Sequence, residues 1–227
     1  MAEEFNTENL SPEELAKHLR KPDGETGKSI GLQMNTGNKH ICLNSYEVLN
    51  PSEGQYILEI GMGNGFFVKD LLSMADGLMY TGVDYSPTMV AEARQINKEF
   101  VKTGIAGFKE ASIDELPFPD NFFDCITTTN TLYFWPNPEE NAEELMRVLK
   151  PKGKLLVAYR PKQILDQLAL AEFGFTKYTI EDVESLLKNA GFDQVSTTEI
   201  SEPALEFDGE KKEMIGFYTV GYKLKVL

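Results

Sequence analysis

The stretch Ile57-Leu58-Glu59-Ile60-Gly61-Met62-Gly63-Asn64-Gly65-Phe66 decides the fold. An apolar run leads directly into three glycines at alternate positions, and helical spacing of apolar residues follows. Glycine is needed where the backbone turns sharply and approaches a ligand closely, and the free amides of a helix N-terminus then face that ligand. The stretch therefore predicts a strand, a ligand-binding turn and a helix. A tight turn without a ligand is the alternative interpretation.

Short apolar strands alternate with amphipathic helices from residue 55 onward. The strand candidates are residues 56–60, 79–83, 105–110, 125–129, 155–159, 195–200 and 215–224. Strands separated by helices predict right-handed crossovers and an α/β fold with a doubly wound, parallel sheet. The last two candidates follow each other without a helix, which predicts an antiparallel pair. Ligands of such a sheet bind beyond the carboxyl ends of its strands.

Residues 1–50 contain no strand-like run, and we interpret them as an N-terminal helical lid on a main domain of residues 51–227. Ser11, Pro12 and Glu14 predict a helix start with a capping box. Residues 24–37 are rich in glycine and are interpreted as a hinge loop, followed by a helix over residues 41–49. Residues 162–177 interrupt the regular alternation and are interpreted as a second lid segment.

Charge and composition exclude several classes of function. The chain has 22 Lys plus Arg against 36 Asp plus Glu, a net charge of −14, which disfavours a nucleic-acid partner. Two cysteines and two histidines favour neither a disulfide framework nor a histidine-built metal site. No apolar run approaches the roughly 20 residues that a bilayer requires, and no secretion signal opens the chain. We therefore expect a cytoplasmic protein without a membrane span.

An acidic residue, Asp84, ends the second strand candidate, 19 residues after Gly65. A carboxylate at about this distance from the glycine turn binds ribose hydroxyls in dinucleotide folds. The alternative is that Asp84 caps the helix that begins at Ser86-Pro87.

Four motifs, in order and at familiar spacing, resemble those of class I S-adenosylmethionine-dependent methyltransferases. The similarity is to the small-molecule branch that includes the ubiquinone and menaquinone biosynthesis methyltransferases. The motifs lie at residues 58–65, 82–89, 116–124 and 149–155. The resemblance implies a Rossmann-like, seven-stranded sheet with an antiparallel last strand, S-adenosylmethionine as cofactor and a small-molecule acceptor.

The resemblance also implies a set of cofactor-binding residues at the first two strands. Gly61, Gly63 and Gly65 would line the methionine and ribose part. Glu59 would orient the amino-acid end, and Asp84 would hold the ribose hydroxyls.

Further residues are implied at the adenine ring. Tyr85 and Met89 would flank the ring, and the backbone amide of Ile113 would meet its edge. Family members commonly have an aspartate where this chain has Ser112, which leaves the contact to the adenine amino group open between Ser112 and Asp114.

The fourth strand brings residues to the methyl-donating end of the cofactor. Thr129, Asn130 and Leu132 are implied at the sulfonium. Many relatives have paired histidines where this chain has Tyr133-Phe134, so no role of those histidines is carried over.

Candidates for catalysis and acceptor binding are fewer. His40 is a candidate base, with a surface or capping role as the alternative. Tyr133 is a second catalytic candidate, and together with Trp135 it is expected either to wall the acceptor pocket or to pack in the core. Arg160 is predicted to bind an acidic acceptor or to form a surface salt bridge. Transfer by in-line displacement requires no base.

Two other functions fit parts of the pattern. A nicotinamide-dependent oxidoreductase also has a glycine turn followed by an acid, but its fingerprint requires a small residue where this chain has Phe66. A non-enzymatic partner protein with a vestigial cofactor site is the second rival.

Overall fold

A computed structural model describes residues 10–207 and 210–224. Its centre is a seven-stranded sheet with the order β3-β2-β1-β4-β5-β7-β6. The strands are β1 (Tyr56–Ile60), β2 (Met79–Asp84), β3 (Ala106–Glu110), β4 (Phe123–Thr129), β5 (Leu149–Tyr159), β6 (Asp193–Phe207) and β7 (Glu210–Tyr222). Strands β1 to β5 pair in parallel, whereas β7 runs antiparallel to both β5 and β6. The predicted doubly wound sheet with an antiparallel last strand is confirmed.

Helices surround the sheet. They are α1 (Pro12–Arg20), α2 (Gly24–Gly37), α3 (Lys39–Leu49), α4 (Val68–Leu72), α5 (Pro87–Ile96), α6 (Lys98–Lys102), α7 (Pro138–Val148), α8 (Lys162–Leu165) and α9 (Ile180–Asn189). Short 3-10 turns lie at Leu132–Phe134 and Ala169–Glu172. The predicted capping box at Ser11 is confirmed, and a second one forms at Thr179.

The strand order places a crevice at the carboxyl end of β1. Ile60 pairs with Val83 of β2 on one side and with Thr128 of β4 on the other. The connections that leave β1 and β4 cross to opposite sides of the sheet, and ligands of doubly wound folds bind where the order reverses in this way. Ile57 and Leu58 are fully buried, so both faces of β1 are covered.

The predicted hinge loop over residues 24–37 is wrong, because this segment forms helix α2. Glycine weakens isolated helices, yet two glycines here allow close packing. A Cβ at Gly27 would lie 2.6 Å from the carbonyl carbon of Pro22, and one at Gly31 would lie 3.2 Å from Sδ of Met89. Tertiary packing against α5 therefore outweighs the low helix propensity.

Helix α3 belongs to the core rather than to a separate lid. Ile41 and Leu49 are completely buried and Tyr46 is 3% exposed, in one cluster with side chains of the sheet. Helix α1, in contrast, packs against the 3-10 turn Ala169–Glu172, inside the predicted second lid segment. Movement of residues 1–50 as a lid remains a prediction.

Two features are absent from the described part of the chain. None of its helices combines the length and the apolar character needed to cross a membrane. No group of three or more His, Cys, Asp or Glu side chains is arranged there to hold a metal ion.

Candidate active site

A cavity of about 380 Å³ lies at the carboxyl ends of β1, β2 and β4. The α1–α2 turn and the α2–α3 junction form its outer wall. Most of the predicted cofactor residues line it, together with Trp135: Glu59, Gly61, Gly63, Gly65, Asp84, Tyr85, Met89, Ser112, Ile113, Thr129 and Asn130. The structure thus brings residues from distant parts of the sequence to one edge of the sheet.

Four predicted residues do not line this cavity. Leu132 and Tyr133 are buried in the core behind it, at 1% and 4% exposure. His40 lies half-buried in the first turn of α3, outside the lining. Arg160 is buried as well.

Arg160 forms a buried ion pair. Its Nη1 lies 2.8 Å from Oε1 of Glu202 and donates to the carbonyl of Ile215 over 3.1 Å. Among the described residues, its Nη2 has no hydrogen-bond partner. The sequence-based alternative of a surface salt bridge is wrong, because the long β6–β7 hairpin covers the end of β5 and buries the Arg160 side chain. The placement does not support a role in binding an acceptor.

The three glycines of the turn differ in what surrounds them. All have positive φ: +67° at Gly61, +58° at Gly63 and +65° at Gly65. A Cβ at Gly61 would lie 2.3 Å from Cγ2 of Thr131, and one at Gly65 would lie 2.9 Å from Nδ2 of Asn97. A Cβ at Gly63 would have no atom within 4 Å. Gly61 and Gly65 therefore accommodate protein atoms, and only Gly63 leaves space for a ligand against the backbone.

Asp84 is fixed beside Gly63. Its Oδ2 accepts from the backbone N–H of Gly63 over 3.0 Å, and its Oδ1 accepts from that of Ser86 over 2.9 Å. Burial raises the pKa of Asp84 to about 6, although these two hydrogen bonds oppose the shift. Ser86, not Asp84, caps α5, because its Oγ accepts from the N–H of Met89. The capping alternative for Asp84 is wrong, and its remaining lone pairs are left for a ligand.

Two tyrosine hydroxyls contact the carboxylate of Glu59. Tyr80 donates to its Oε2 over 2.7 Å, and the hydroxyl of Tyr46 lies 3.1 and 3.2 Å from its two oxygens. Burial raises the pKa of Glu59 to about 7, and the tyrosine hydrogen bonds oppose the shift. A cationic ligand beside this carboxyl would favour its charged form and lower its pKa again.

Two side chains in the β3–β4 connection, which the sequence predicts near the adenine ring, are joined by a hydrogen bond. Ser112 Oγ donates to Oδ2 of Asp114 over 2.7 Å, and Nδ2 of Asn141 donates to the other oxygen over 3.0 Å. Both Ser112 and Asp114 line the cavity.

The chemistry of the lining fits a nucleoside that carries a cation. Gly63 leaves open space against the backbone, Asp84 offers acceptors to hydroxyls, and Glu59 offers a buried carboxylate to an ammonium group. The family described as a methyltransferase domain matches residues 58–157, which include all three. The chain carries a class I S-adenosylmethionine-dependent methyltransferase domain. S-adenosylmethionine is the cofactor of this domain.

Curated relatives of the methyltransferase domain share about a quarter to a third of its residues. The ubiquinone/menaquinone biosynthesis C-methyltransferase UbiE of Enterobacter sp. (strain 638) is 29% identical over 61% of this chain and 55% of its own length. The uncharacterized methyltransferase YdaC of Bacillus subtilis is 26% identical over 65% of this chain and 76% of its own. The chain therefore spans about half the length of the UbiE relative.

Solved structures with the same fold include a Haemonchus contortus phosphoethanolamine N-methyltransferase 2. It was solved with phosphomonomethylethanolamine and S-adenosylhomocysteine, and it superposes with a TM-score of 0.71 at 15% identity, covering 96% of this chain and 61% of that one. A possible histamine N-methyltransferase from Thermotoga maritima gives 0.64 at 20% identity, covering 84% and 93%. These likenesses show the fold of the methyltransferase domain.

Sequence reasoning missed several residues that line the cavity of the methyltransferase domain. Tyr46 and Asn38 come from the N-terminal helices, where no motif marks them. Thr131 follows β4, and its Oγ1 accepts from Nε1 of Trp135 over 3.1 Å. The Thr131 methyl group could have been suspected from Gly61, because a glycine with positive φ often accommodates a close side chain.

The turn between α1 and α2 is fastened to the β2–α5 loop of the methyltransferase domain. The hydroxyl of Tyr85 donates to the carbonyl of Arg20, and Oγ of Ser86 donates to that of Pro22. Thr88 Oγ1 accepts from the N–H of Gly24 over 3.2 Å. Because Tyr85 lines the cavity, these bonds hold the turn directly over the predicted adenine end.

Proposed function

We propose that this protein transfers a methyl group from S-adenosylmethionine to a small-molecule acceptor by in-line displacement. The observation that carries the proposal is the open side of Gly63, which faces a cavity lined by Asp84 and Glu59. A ligand there would lie against the backbone with a hydroxyl-binding carboxylate on one side and an ammonium-binding carboxylate on the other.

The predicted cofactor residues would contact different parts of the cofactor along this cavity. Asp84 would accept from the ribose hydroxyls, because both of its oxygens keep a lone pair beyond their backbone hydrogen bonds. Glu59 would lie at the ammonium end. Tyr85 and Met89 would flank the adenine, and Thr129 would lie at the methyl-donating end where β4 stops.

The protein's own contribution would be position and exclusion of water. The bound cofactor would supply a sulfonium, which activates the methyl carbon and departs as a neutral thioether. Holding two reactants in line lowers a barrier by up to about 7–11 kcal/mol. The α1–α2 turn would shield the reaction from water. No base is required, which agrees with the position of His40 outside the cavity.

A small molecule is the acceptor class that fits best. The N-terminal helices form a wall of a cavity of about 380 Å³, and the net charge of −14 opposes nucleic acid. By their names, UbiE is a C-methyltransferase and the Haemonchus contortus enzyme an N-methyltransferase, so the fold does not fix the methylated atom. The cytoplasmic location remains a prediction.

A panel of ligands separates this proposal from its rivals. S-adenosylmethionine and S-adenosylhomocysteine should raise the melting temperature, with a stabilisation of about 2.7 kcal/mol at 100 times Kd, whereas NAD and NADP should not. Stabilisation by NAD alone would favour the oxidoreductase. Stabilisation by S-adenosylmethionine without formation of S-adenosylhomocysteine, across a broad acceptor library, would favour the non-enzymatic protein.

A further inference from the structure

A chain of hydrogen bonds runs from the buried end of β5 to the cavity wall. The backbone N–H of Arg160 donates to the hydroxyl oxygen of Tyr133. That hydroxyl donates to Oδ1 of Asn130 over 2.9 Å, and Nδ2 of Asn130 donates to Oδ1 of Asn38 over 3.0 Å. We call these four residues the relay.

Each hydrogen bond of the relay has a fixed donor and a fixed acceptor. A backbone N–H only donates, so the phenol oxygen of Tyr133 must accept from Arg160. The phenol proton goes to Oδ1 of Asn130, because a reversed amide would leave this buried proton without an acceptor among the described residues. The NH₂ group of Asn130 then faces Asn38, which presents its own oxygen in return. The NH₂ group of Asn38 is left over, as a donor.

Asn38 is well placed to use that donor. Asn38 and Asn130 both line the cavity, whereas Tyr133 and Arg160 are 4% and 6% exposed. Asn130 directly follows Thr129 at the end of β4. Among the described residues, Nδ2 of Asn38 has no hydrogen-bond partner. Its backbone is held on both sides, because its N–H donates to the carbonyl of Met34 and its carbonyl accepts from the N–H of Cys42.

We propose that Asn38 is a specificity residue whose side-chain NH₂ donates to a hydrogen-bond-accepting oxygen of the methyl acceptor. The inference rests on the proposed function, since it puts that oxygen beside the methyl-donating end of the cofactor. A carbonyl or an oxyanion matches the donor. An ammonium group meets a second donor and leaves both groups unpaired, which is the source of discrimination. Tyr133 is a positioning residue, because it acts by orienting Asn130.

Two probes of similar shape and opposite polarity test the proposal. Cyclohexanone only accepts and the cyclohexylammonium ion only donates. Their dissociation constants are measured by NMR titration of the full chain saturated with S-adenosylhomocysteine. We expect wild type to bind cyclohexanone about 3- to 10-fold more tightly, the value of one net hydrogen bond.

Four variants locate the effect. Asn38→Asp keeps the acceptor for Asn130 but presents an oxygen to the cavity, so the preference should invert. Asn38→Leu should remove the preference for cyclohexanone. Tyr133→Phe should reduce that preference, because the phenol hydroxyl would no longer orient Asn130. Asn35→Asp is the matched control, because Asn35 lines the same cavity outside the relay. It should change the preference less than Asn38→Asp does.

Melting curves first show that each variant is folded, and the probe affinities then decide for or against the proposal. A wild-type preference for the ammonium probe, or an unchanged ratio in Asn38→Asp, overturns the proposal. An equal inversion in Asn35→Asp also overturns it, because the effect would then be one of general charge. If wild type fails to bind S-adenosylhomocysteine, the proposed function fails, and the probe ratio without the nucleoside still decides the role of Asn38.

Discussion

The backbone N–H of Gly63 donates to Oδ2 of Asp84 over 3.0 Å, which ties the glycine turn after β1 to the acid at the end of β2. The two strongest sequence signals are therefore parts of one structural unit. The same hydrogen bond holds the carboxylate at the open side of Gly63, where a bound nucleoside would contact both.

Two alanine substitutions separate ligand binding from packing in the glycine turn. Gly63 and Gly65 have nearly equal φ, +58° and +65°, so alanine meets the same backbone strain of about 1–2 kcal/mol at both. Only at Gly65 would its Cβ also lie within 3.1 Å of Ala93. Gly65→Ala should therefore lower the melting temperature more, and Gly63→Ala should lose more affinity for S-adenosylhomocysteine. The reverse order in calorimetry would contradict the assignment.

The hydrogen bonds between the α1–α2 turn and the β2–α5 loop should slow the escape of the cofactor product. Thr88→Val removes the exposed bond to Gly24. We expect S-adenosylhomocysteine to dissociate about 3- to 10-fold faster in stopped-flow measurements, with little loss of stability. Thr36→Val, on the exposed face of α2, is the control. Equal dissociation rates in wild type and Thr88→Val would count against the turn as a closing element.

Binding of S-adenosylmethionine should release protons near neutral pH. The pKa of Glu59 is raised to about 7 by burial, and an ammonium group beside it would lower that pKa again. Calorimetry at pH 7 in phosphate and in Tris, whose ionisation enthalpies differ, measures the protons released. Glu59→Gln should lose most of this release. Identical apparent enthalpies for wild type in the two buffers would argue against a cation at Glu59.

The raised pKa of Glu59 also makes the stability of the ligand-free protein depend on pH. Because the folded pKa of Glu59 lies above its ordinary value of 4.5, the folded state binds more protons between pH 4.5 and 7. This contribution is fully present below that range and is lost as the pH rises through about 7. Glu59→Gln should therefore gain stability relative to wild type on going from pH 5 to 8 in urea denaturation. A constant difference would contradict the raised pKa.

The ion pair of Arg160 and Glu202 should serve stability. Glu202→Ala leaves a buried guanidinium without its partner and should cost about 3–5 kcal/mol in urea denaturation. Glu25→Ala, which breaks an exposed pair with Lys28, should cost less than about 1 kcal/mol. A small cost for Glu202→Ala would show that Arg160 is solvated, and would restore it as a candidate for acceptor binding.

The core strands could be predicted closely from the sequence, because they are short apolar runs between turn residues. The range 56–60 predicted for β1 agrees with the structure. The last three strands, β5, β6 and β7, were predicted too short. Strand β6 continues to Phe207, and strand β7 begins at Glu210. Both strands pass through charged residues. Pairing between two hairpin strands stabilises such segments without an apolar alternation that a sequence pattern would reveal.

The site was predictable where residues follow strands, and not where helices supply them. Gly63 and Asp84 follow β1 and β2, so topology alone brings them together. Tyr46 and Asn38 reach the cavity because α2 and α3 pack against the sheet and α5. The packing of α2 depends on the fit of Gly31 against Met89, which the sequence shows only as a glycine of low helix propensity.

The most direct test of the central claim is a calorimetric titration of wild type and Asp84→Ala with S-adenosylmethionine at pH 7.5, above the pKa of about 6 of this carboxyl. We expect saturable binding by wild type. The variant should bind more weakly by about 1.5–3 kcal/mol, the value of hydrogen bonds to a charged group. Equal affinity in the two proteins, or no binding by wild type, would contradict the cofactor site at Gly63 and Asp84.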